Sequence, residues 1–339
     1  MAEACHYSKE EDKIRCLLCP HNCLIGENKV GICKVRLNSN GQLISNVYGK
    51  IAAVHYDPIE KKPLYHFYPG RNILSIGTFG CNFHCFFCQN YQLSQCKPSD
   101  FNEPIELSPH EVAQRAQAIS GNLGIAYTYN EPAVFFEMMM DTATIVRQKG
   151  LKNVVVSNGF INPEPLLELI EVTDAFNIDL KAFDESFYQK YTGGHLEPVL
   201  HSLRMIYQSG RHLEITFLAI PTLNDSIDLF NEMIHWIANE LGPEIPLHIS
   251  RYFPAWKSEI PSTSSQVIIE LADLASKILR YVYIGNMNPN IYSSTHCPNC
   301  RNILVKRSGY DTRICGITKD SHCKVCGEPI DLPFVVPPD

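Results

Sequence analysis

Most of the cysteines in this chain fall into three groups whose spacing suits metal binding. The central group, Cys81, Cys85 and Cys88, has the spacing C-x3-C-x2-C and offers three thiols from one loop. A 4Fe–4S cluster takes four ligands, so three thiolates leave one iron open to bind a further molecule. The central group therefore predicts a 4Fe–4S cluster with an open iron. The alternative is a zinc site that borrows Cys96 or a histidine.

The two outer groups each supply four cysteines. Two CxxC pairs near the C-terminus can present four thiolates to one tetrahedral metal, and zinc is predicted there, with rubredoxin-like iron as the alternative. Its members are Cys297, Cys300, Cys323 and Cys326. Near the N-terminus the spacing is C-x2-C-x3-C-x9-C, and the members are Cys16, Cys19, Cys23 and Cys33. Four thiolates alone do not separate zinc from iron, so this group is expected to hold either zinc or an auxiliary 4Fe–4S cluster.

Composition limits the classes of protein to consider. The N-terminus is polar and lacks the apolar core of a secretory signal, and no run of about 18 apolar residues suits a membrane span. We therefore expect a cytoplasmic protein without a membrane partner. Thiols stay reduced in that compartment, so metal sites rather than disulfides explain the grouped cysteines among the fourteen in the chain. A net charge of −7 excludes the overall positive charge that is typical of nucleic-acid-binding proteins, so nucleic acid is not an expected partner.

The elements that must position these cysteines follow a regular order. From about residue 72, short apolar runs alternate with amphipathic segments, which predicts βα units around a parallel sheet. The predicted strands are 73–77, 124–129, 154–157, 176–180, 213–220, 247–250 and 282–284. The predicted helices are 109–119, 133–149, 164–170, 197–209, 226–240 and 264–279. Six or so units are too few for a closed eight-unit barrel, so the pattern favours a partial barrel, with a doubly wound sheet as the alternative.

Three regions are predicted along the chain. Residues 1–65 form a cysteine-rich segment with a hairpin that turns at Asn40 and Gly41. Residues 66–292 form the α/β core, and its approach from Asp57 to Pro63 is interpreted as an irregular connector. Residues 293–339 form a small zinc-ribbon-like module, which has too few apolar residues for a core without metal. Its proline-rich end, residues 333–339, is expected to fray.

The loop from Gly80 to Asn90 resembles the cluster loop of the radical S-adenosylmethionine (radical SAM) superfamily, with Phe87 as the aromatic residue before the third cysteine. The segment from Asp57 to Gly70 and both outer cysteine blocks are similar to those of the AmmeMemoRadiSam system radical SAM enzymes, which are related to pyruvate formate-lyase activating enzymes. The resemblance covers nearly the whole chain. It implies a partial (β/α)6 TIM-like barrel and a 4Fe–4S cluster whose open iron binds S-adenosylmethionine.

The resemblance also assigns cofactor-binding residues at predicted strand ends. Glu131 is expected to contact the amino group of S-adenosylmethionine, and Asn130 beside it replaces a glycine of the family element. Asn158 is expected beside the cofactor. Phe87, next to the third cysteine, joins this set. The alternatives are that Asn130 and Glu131 only cap the next helix and that Asn158 belongs to an ordinary Asn-Gly turn.

Catalytic roles are assigned to Asp179 and Lys181. They lie two residues apart, so they point to the same face of a strand, and the matching family pair lies near the cofactor carboxylate and the substrate. A structural ion pair is the alternative. Further along, His248 and Arg251 are expected to line the substrate mouth and Asn286 to approach the adenine, which completes the predicted cofactor-binding set. For His248 the alternative is a packed core histidine.

The resemblance implies an enzyme that reductively cleaves S-adenosylmethionine and uses the resulting 5′-deoxyadenosyl radical to abstract hydrogen from an unassigned substrate. One alternative is an activase that makes a glycyl radical on a partner enzyme. Another class is a multi-zinc binding or scaffold protein, against which the three-ligand central site argues. The expected partners are an electron donor of flavodoxin or ferredoxin type and, by family association, Memo-like or AMMECR-like proteins.

Overall fold

The computed structural model describes residues 2–100 and 103–330, and its N-terminal part is built from short antiparallel strands. They are β1 Ala2–Glu3, β2 Tyr7–Glu10, β3 Lys13–Cys16, β4 Leu24–Ile25, β5 Arg36–Ser39, β6 Gln42–Ser45 and β7 Lys50–Ile51. Strands β1, β6 and β5 form one sheet, and β2, β3 and β4 form another. Asn40 and Gly41 join β5 to β6, both with positive φ as a tight hairpin turn requires. The predicted hairpin is confirmed.

A mostly parallel sheet forms the centre of the protein. Its first strands are β8 Ala53–Pro58 and β9 Asn72–Gly77, while β10 Ile105–Glu106 pairs with β7 outside it. The remaining strands are β11 Gly124–Tyr127, β12 Lys152–Ser157, β13 Ala175–Asp179, β14 His212–Ala219, β15 Leu247–Arg251 and β16 Val282–Gly285. Seven parallel strands run from β9 to β16 in chain order, and β8 pairs antiparallel with β9. The predicted α/β class is confirmed, and the curvature of a partial barrel stays a prediction.

Strand β8 corrects the interpretation of the approach to the core. We predicted an irregular connector from Asp57 to Pro63. Its first two residues instead end a strand, because residues 53–58 pair along the whole of β9 and form an edge of the sheet. Residues 59–61 form a short 3-10 turn. Pro58 occupies the last position of this edge strand, where its missing N–H costs no ladder hydrogen bond. The proline therefore marks the end of a strand rather than an absence of one.

The helices are α1 Tyr91–Ser94, α2 Pro109–Ala118, α3 Phe136–Gln148, α4 Pro163–Val172, α5 Glu185–Phe187, α6 Leu196–Gln208, α7 Ile227–Glu240 and α8 Ser265–Ala275. The six longest follow successive parallel strands, which confirms the predicted alternation. Ser108 and Glu111 form a capping box at the start of α2. Helix α4 begins at Pro163, one residue before the predicted start. Asn162 does not cap it, because its side chain donates to the Leu17 carbonyl at 2.7 Å and so ties the helix to the N-terminal segment.

The C-terminal module contains β17 Thr295–His296, β18 Ile303–Ser308 and β19 Asp311–Ile314, paired antiparallel in that order. A small core of its own includes Leu304, Val305 and two of the cysteines. Buried Arg307 joins the module to the rest of the protein, because its guanidinium donates to the Tyr65 carbonyl at 2.6 Å. The predicted fraying segment, residues 333–339, lies outside the described residues. Within the described part of the chain, no helix has the length and apolar character needed to cross a membrane.

Candidate functional site

A cavity of about 260 Å³ lies at the carboxyl ends of β9, β11, β12 and β13, and the three central cysteines line it. The ends of parallel strands are where barrel-type folds place functional groups. The cysteine loop enters this edge through Gly80, whose φ of +81° favours glycine. A Cβ at Gly80 would stand 2.5 Å from the Cys33 carbonyl oxygen, so the loop is packed closely against the N-terminal segment.

The three thiols are held in a mostly buried setting. The Phe83 N–H donates to Cys81 Sγ at 3.3 Å, and Cys88 Sγ lies 3.1 Å from the Ser94 hydroxyl oxygen. Burial raises the pKa of Cys81 well above its ordinary value and raises the pKa of Cys85 to about 12. Thiolates at these positions therefore need a compensating positive charge. Three soft sulfur ligands facing one cavity fit an iron–sulfur cluster.

Glu131 is buried at the wall of this cavity, with 3% of its surface exposed. Its carboxylate accepts hydrogen bonds from the Ala133 N–H at 3.0 Å, the Ser157 hydroxyl at 2.7 Å and the Asn158 N–H at 2.8 Å. Burial raises its pKa, and these donors only partly oppose that shift. Glu131 thus caps the short helical turn Pro132–Phe135 and also ties it to the end of β12.

Two asparagines fix the cysteine loop. The Asn130 side chain accepts from the Thr78 N–H at 3.0 Å and donates to the Gly80 carbonyl at 3.0 Å. The Asn158 amide donates to the Asn82 Oδ1 atom at 2.8 Å, one residue beyond Cys81. Both asparagines line the cavity, and both also act as positioning residues for the loop.

Asp179 and Lys181 form an ion pair at the cavity, with 2.9 Å between the Lys181 Nζ and Asp179 Oδ2 atoms. Burial alone would lower the pKa of Lys181, but the Asp179 carboxylate outweighs it and the pKa lies above its ordinary value. The side chains keep 18% and 37% exposure for Lys181 and Asp179, so they are not sealed in the core. The pair therefore presents a stable ammonium and a carboxylate to whatever occupies the cavity.

Three predicted site residues lie elsewhere. His248 is the second residue of β15, at the amino end of the strand, and its Nε2 atom lies 2.6 Å from the buried Glu214 carboxylate. It is a packed core histidine, which was the alternative interpretation. Arg251 is the last residue of β15 and Asn286 follows β16, and both line a second cavity of about 530 Å³ together with Tyr65.

Sequence reasoning also missed several cavity residues. Phe87 lines the cavity, and so do Gln89, Asn90, Tyr129 and Ser157, which were not predicted. The Asn90 amide donates to the Tyr129 carbonyl at 2.8 Å, which joins the cysteine loop to the end of β11. Tyr129 and Ser157 were detectable, since each is the last residue of a predicted strand. Nothing in the local pattern marks the other two.

Comparison with known proteins identifies a matching family and several relatives. Residues 75–236 match the model of the radical SAM superfamily. Over 337 residues the chain is 42% identical to "Uncharacterized protein MJ0808" of Methanocaldococcus jannaschii, a match that covers 98% of this chain and 99% of that protein. The pyruvate formate-lyase-activating enzyme of Clostridium pasteurianum is 24% identical over 201 residues, which are 54% of this chain and 80% of that enzyme.

A solved structure with a similar chain path is that of a radical SAM methyltransferase from Sphaerobacter thermophilus. It aligns with a TM-score of 0.49 and 14% sequence identity, covering 68% of this chain and 71% of the methyltransferase.

Proposed function

The chain belongs to the radical SAM superfamily, and we propose that the cavity at Cys81, Cys85 and Cys88 is where it binds the 4Fe–4S cluster and S-adenosylmethionine that such a domain implies. The observation that carries the proposal is that the three thiols share one cavity with Glu131 and the Asp179–Lys181 pair. Three thiolates leave one iron open, and the charged groups beside it suit a zwitterionic amino acid moiety.

When bound, the cluster supplies one electron to S-adenosylmethionine, and cleavage into methionine and a 5′-deoxyadenosyl radical starts hydrogen abstraction from the substrate. Lys181, the one cation among the described residues lining the cavity, would pair with the methionine carboxylate. Asp179 and Glu131 would attract the ammonium group. Apolar Phe83, Phe87 and Leu218 line the same cavity and reduce the water in it.

A glycyl-radical activase is the second candidate, favoured by the distant similarity to the Clostridium pasteurianum activating enzyme. The AmmeMemoRadiSam assignment and Memo-like or AMMECR-like partners are also proposals, supported by the segment from Asp57 to Gly70 and the outer cysteine blocks. A reduced flavodoxin or ferredoxin is the proposed electron donor. A glycyl radical that appears on an added glycyl-radical enzyme would favour the activase.

The general function is tested with the reconstituted wild-type protein. Anaerobic protein reduced with dithionite is expected to convert S-adenosylmethionine to methionine and 5′-deoxyadenosine, measured by chromatography. Protein that contains a reducible cluster and still forms no 5′-deoxyadenosine would contradict the proposal.

Zinc is proposed for the C-terminal module. The Sγ atoms of Cys297 and Cys326 are 3.6 Å apart, those of Cys300 and Cys323 are 3.7 Å apart, and all four lie within 4.8 Å of one another. Four Zn–S bonds of about 2.3 Å in a tetrahedron place the sulfurs about 3.8 Å apart. The four thiols therefore match one tetrahedral ion, and one zinc per chain is expected by elemental analysis.

Replacing Glu131 with glutamine tests the proposed contact with the ammonium group. The variant keeps the size of the side chain but loses a charge-assisted hydrogen bond worth roughly 1.5–3 kcal/mol. We expect S-adenosylmethionine to bind about 10- to 150-fold more weakly, measured by titration into reduced protein with electron paramagnetic resonance of the cluster.

The control for this variant is Glu164→Gln, which changes an exposed carboxylate in the first turn of α4. Its affinity for S-adenosylmethionine should match that of the wild type, and iron content should be the same in all three proteins. Unchanged affinity in Glu131→Gln would show that Glu131 only caps the turn at Pro132 and anchors β12.

A further inference from the structure

The N-terminal cysteines enclose a third cavity, separate from the two already described. Cys16 ends β3, and Cys19, Cys23 and Cys33 approach it from the following loops. The rest of the lining is mainly apolar and comes from both the N-terminal segment and the turn before α3; it includes Leu18, Ile25, Ala133 and Val134. Four sulfur ligands thus face one space that is closed off by apolar side chains, which is a donor set for a thiophilic metal group.

The distances between the sulfur atoms distinguish a site for one zinc ion from a site for a 4Fe–4S cluster. Among the described residues, the C-terminal group alone brings three or more ligand atoms within 4.8 Å of one another, as a single tetrahedral ion requires. The N-terminal cysteines line one cavity, but no three of their sulfur atoms lie within that distance of one another. The same is true of Cys81, Cys85 and Cys88. A cubane cluster binds each thiolate through a different iron, so its ligands stand farther apart than the ligands of one zinc ion.

The N-terminal cavity is also in direct contact with the central cysteine loop. The His21 Nε2 atom lies 2.8 Å from the Asn82 carbonyl oxygen, and Asn82 lines the N-terminal cavity. On the other side, Gly80 packs against the Cys33 carbonyl. The residues on both sides of Cys81 therefore touch the loops that carry the N-terminal cysteines.

We propose that Cys16, Cys19, Cys23 and Cys33 bind a second 4Fe–4S cluster rather than zinc. Four thiolates occupy all four irons, so this cluster has no open position and does not bind S-adenosylmethionine. Its occupancy is independent of the function proposed for the central site, because the two sites use different ligands.

The test removes the central ligands and counts the remaining metal. The variant Cys81→Ala/Cys85→Ala/Cys88→Ala, purified and reconstituted without oxygen, is expected to hold about four irons and four sulfides per chain, against about eight of each in the wild type. Its zinc content should stay at about one per chain, as in the C-terminal site. The reduced variant should give a cluster signal in electron paramagnetic resonance that added S-adenosylmethionine leaves unchanged.

A further substitution tests which cysteines bind the iron that remains in the triple-alanine variant. Cys16→Ser in the triple-alanine background should lose that iron, while Cys5→Ser in the same background should keep it, since Cys5 is exposed and outside the cavity. A triple variant with about two zincs and no iron would overturn the proposal. If the triple variant does not fold, the wild type decides: about eight irons support the second cluster, and about four overturn it.

Discussion

Replacing Cys81, Cys85 and Cys88 together with alanine is expected to abolish the formation of 5′-deoxyadenosine from S-adenosylmethionine. The three thiols are the sulfur ligands that line the cavity with Glu131 and the Asp179–Lys181 pair. Without them no iron can be held beside the bound cofactor, and charged side chains alone supply no electron. The loss should therefore be complete, with product below detection by chromatography of the reduced, reconstituted variant.

The matched control for this loss is Cys315→Ala. Cys315 is exposed and stands outside the group of four sulfurs in the C-terminal module, so activity should match the wild type. Iron content alone does not report the result if the N-terminal site holds its own cluster. The decisive readout is the product, and persistent 5′-deoxyadenosine in the triple variant would place the reactive iron elsewhere.

The local sequence pattern was sufficient to locate the elements that build the cavity. Parallel strands are buried on both faces, so they appear as short continuous apolar runs such as the one that becomes β11. Polar residues directly after such runs lie at one edge of the sheet. Glu131 and Asn158 follow two of the predicted strands and Asp179 lies near the end of a third. The family resemblance assigned them roles, and all three line the cavity with the cysteines.

The pattern could not show which polar residues lie at the amino ends of the strands, away from the cavity at the carboxyl ends. His248 lies in a predicted strand, as Asp179 does, but at its amino end rather than its carboxyl end. Its partner Glu214 is 34 positions away on β14, and other donors to that carboxylate lie near residue 65. Such partners meet only when distant strands pair, so an isolated strand reveals neither the cluster nor its position.

This cluster around Glu214 is a buried anchor at the amino ends of β14 and β15. The carboxylate is fully buried and accepts from the N–H groups of Tyr65 and His66 at 2.9 and 2.8 Å. The Nε2 atoms of His212 and His248 lie 2.8 and 2.6 Å from its two oxygens. Burial would raise the pKa of Glu214, but the two imidazoles outweigh it and hold the pKa well below its ordinary value.

The same cluster connects the sheet to the C-terminal module. Tyr65 donates its N–H to Glu214 while its carbonyl accepts from Arg307 at 2.6 Å, so one residue is held from both sides. Arg307 also donates to the Thr295 hydroxyl at 2.8 Å, and its guanidinium lies over the Tyr65 ring. Loss of the Glu214 charge should therefore weaken the attachment of the module as well as the sheet.

Glu214→Gln is expected to lower the free energy of unfolding by about 3–5 kcal/mol, because it leaves buried donors facing an amide in place of a carboxylate. Glu197→Gln is the control: its carboxylate is 71% exposed and pairs with Arg204 at 2.9 Å, so a change of about 1 kcal/mol or less is expected. Denaturant titration followed by circular dichroism measures both.

Because the pKa of Glu214 is lower in the folded protein, its stabilisation is present above about pH 4.3 and is lost as the pH falls toward the folded pKa. The difference between wild type and Glu214→Gln should therefore shrink on acidification, and equal stability of Glu214→Gln and Glu197→Gln at neutral pH would show that the carboxylate anchors nothing.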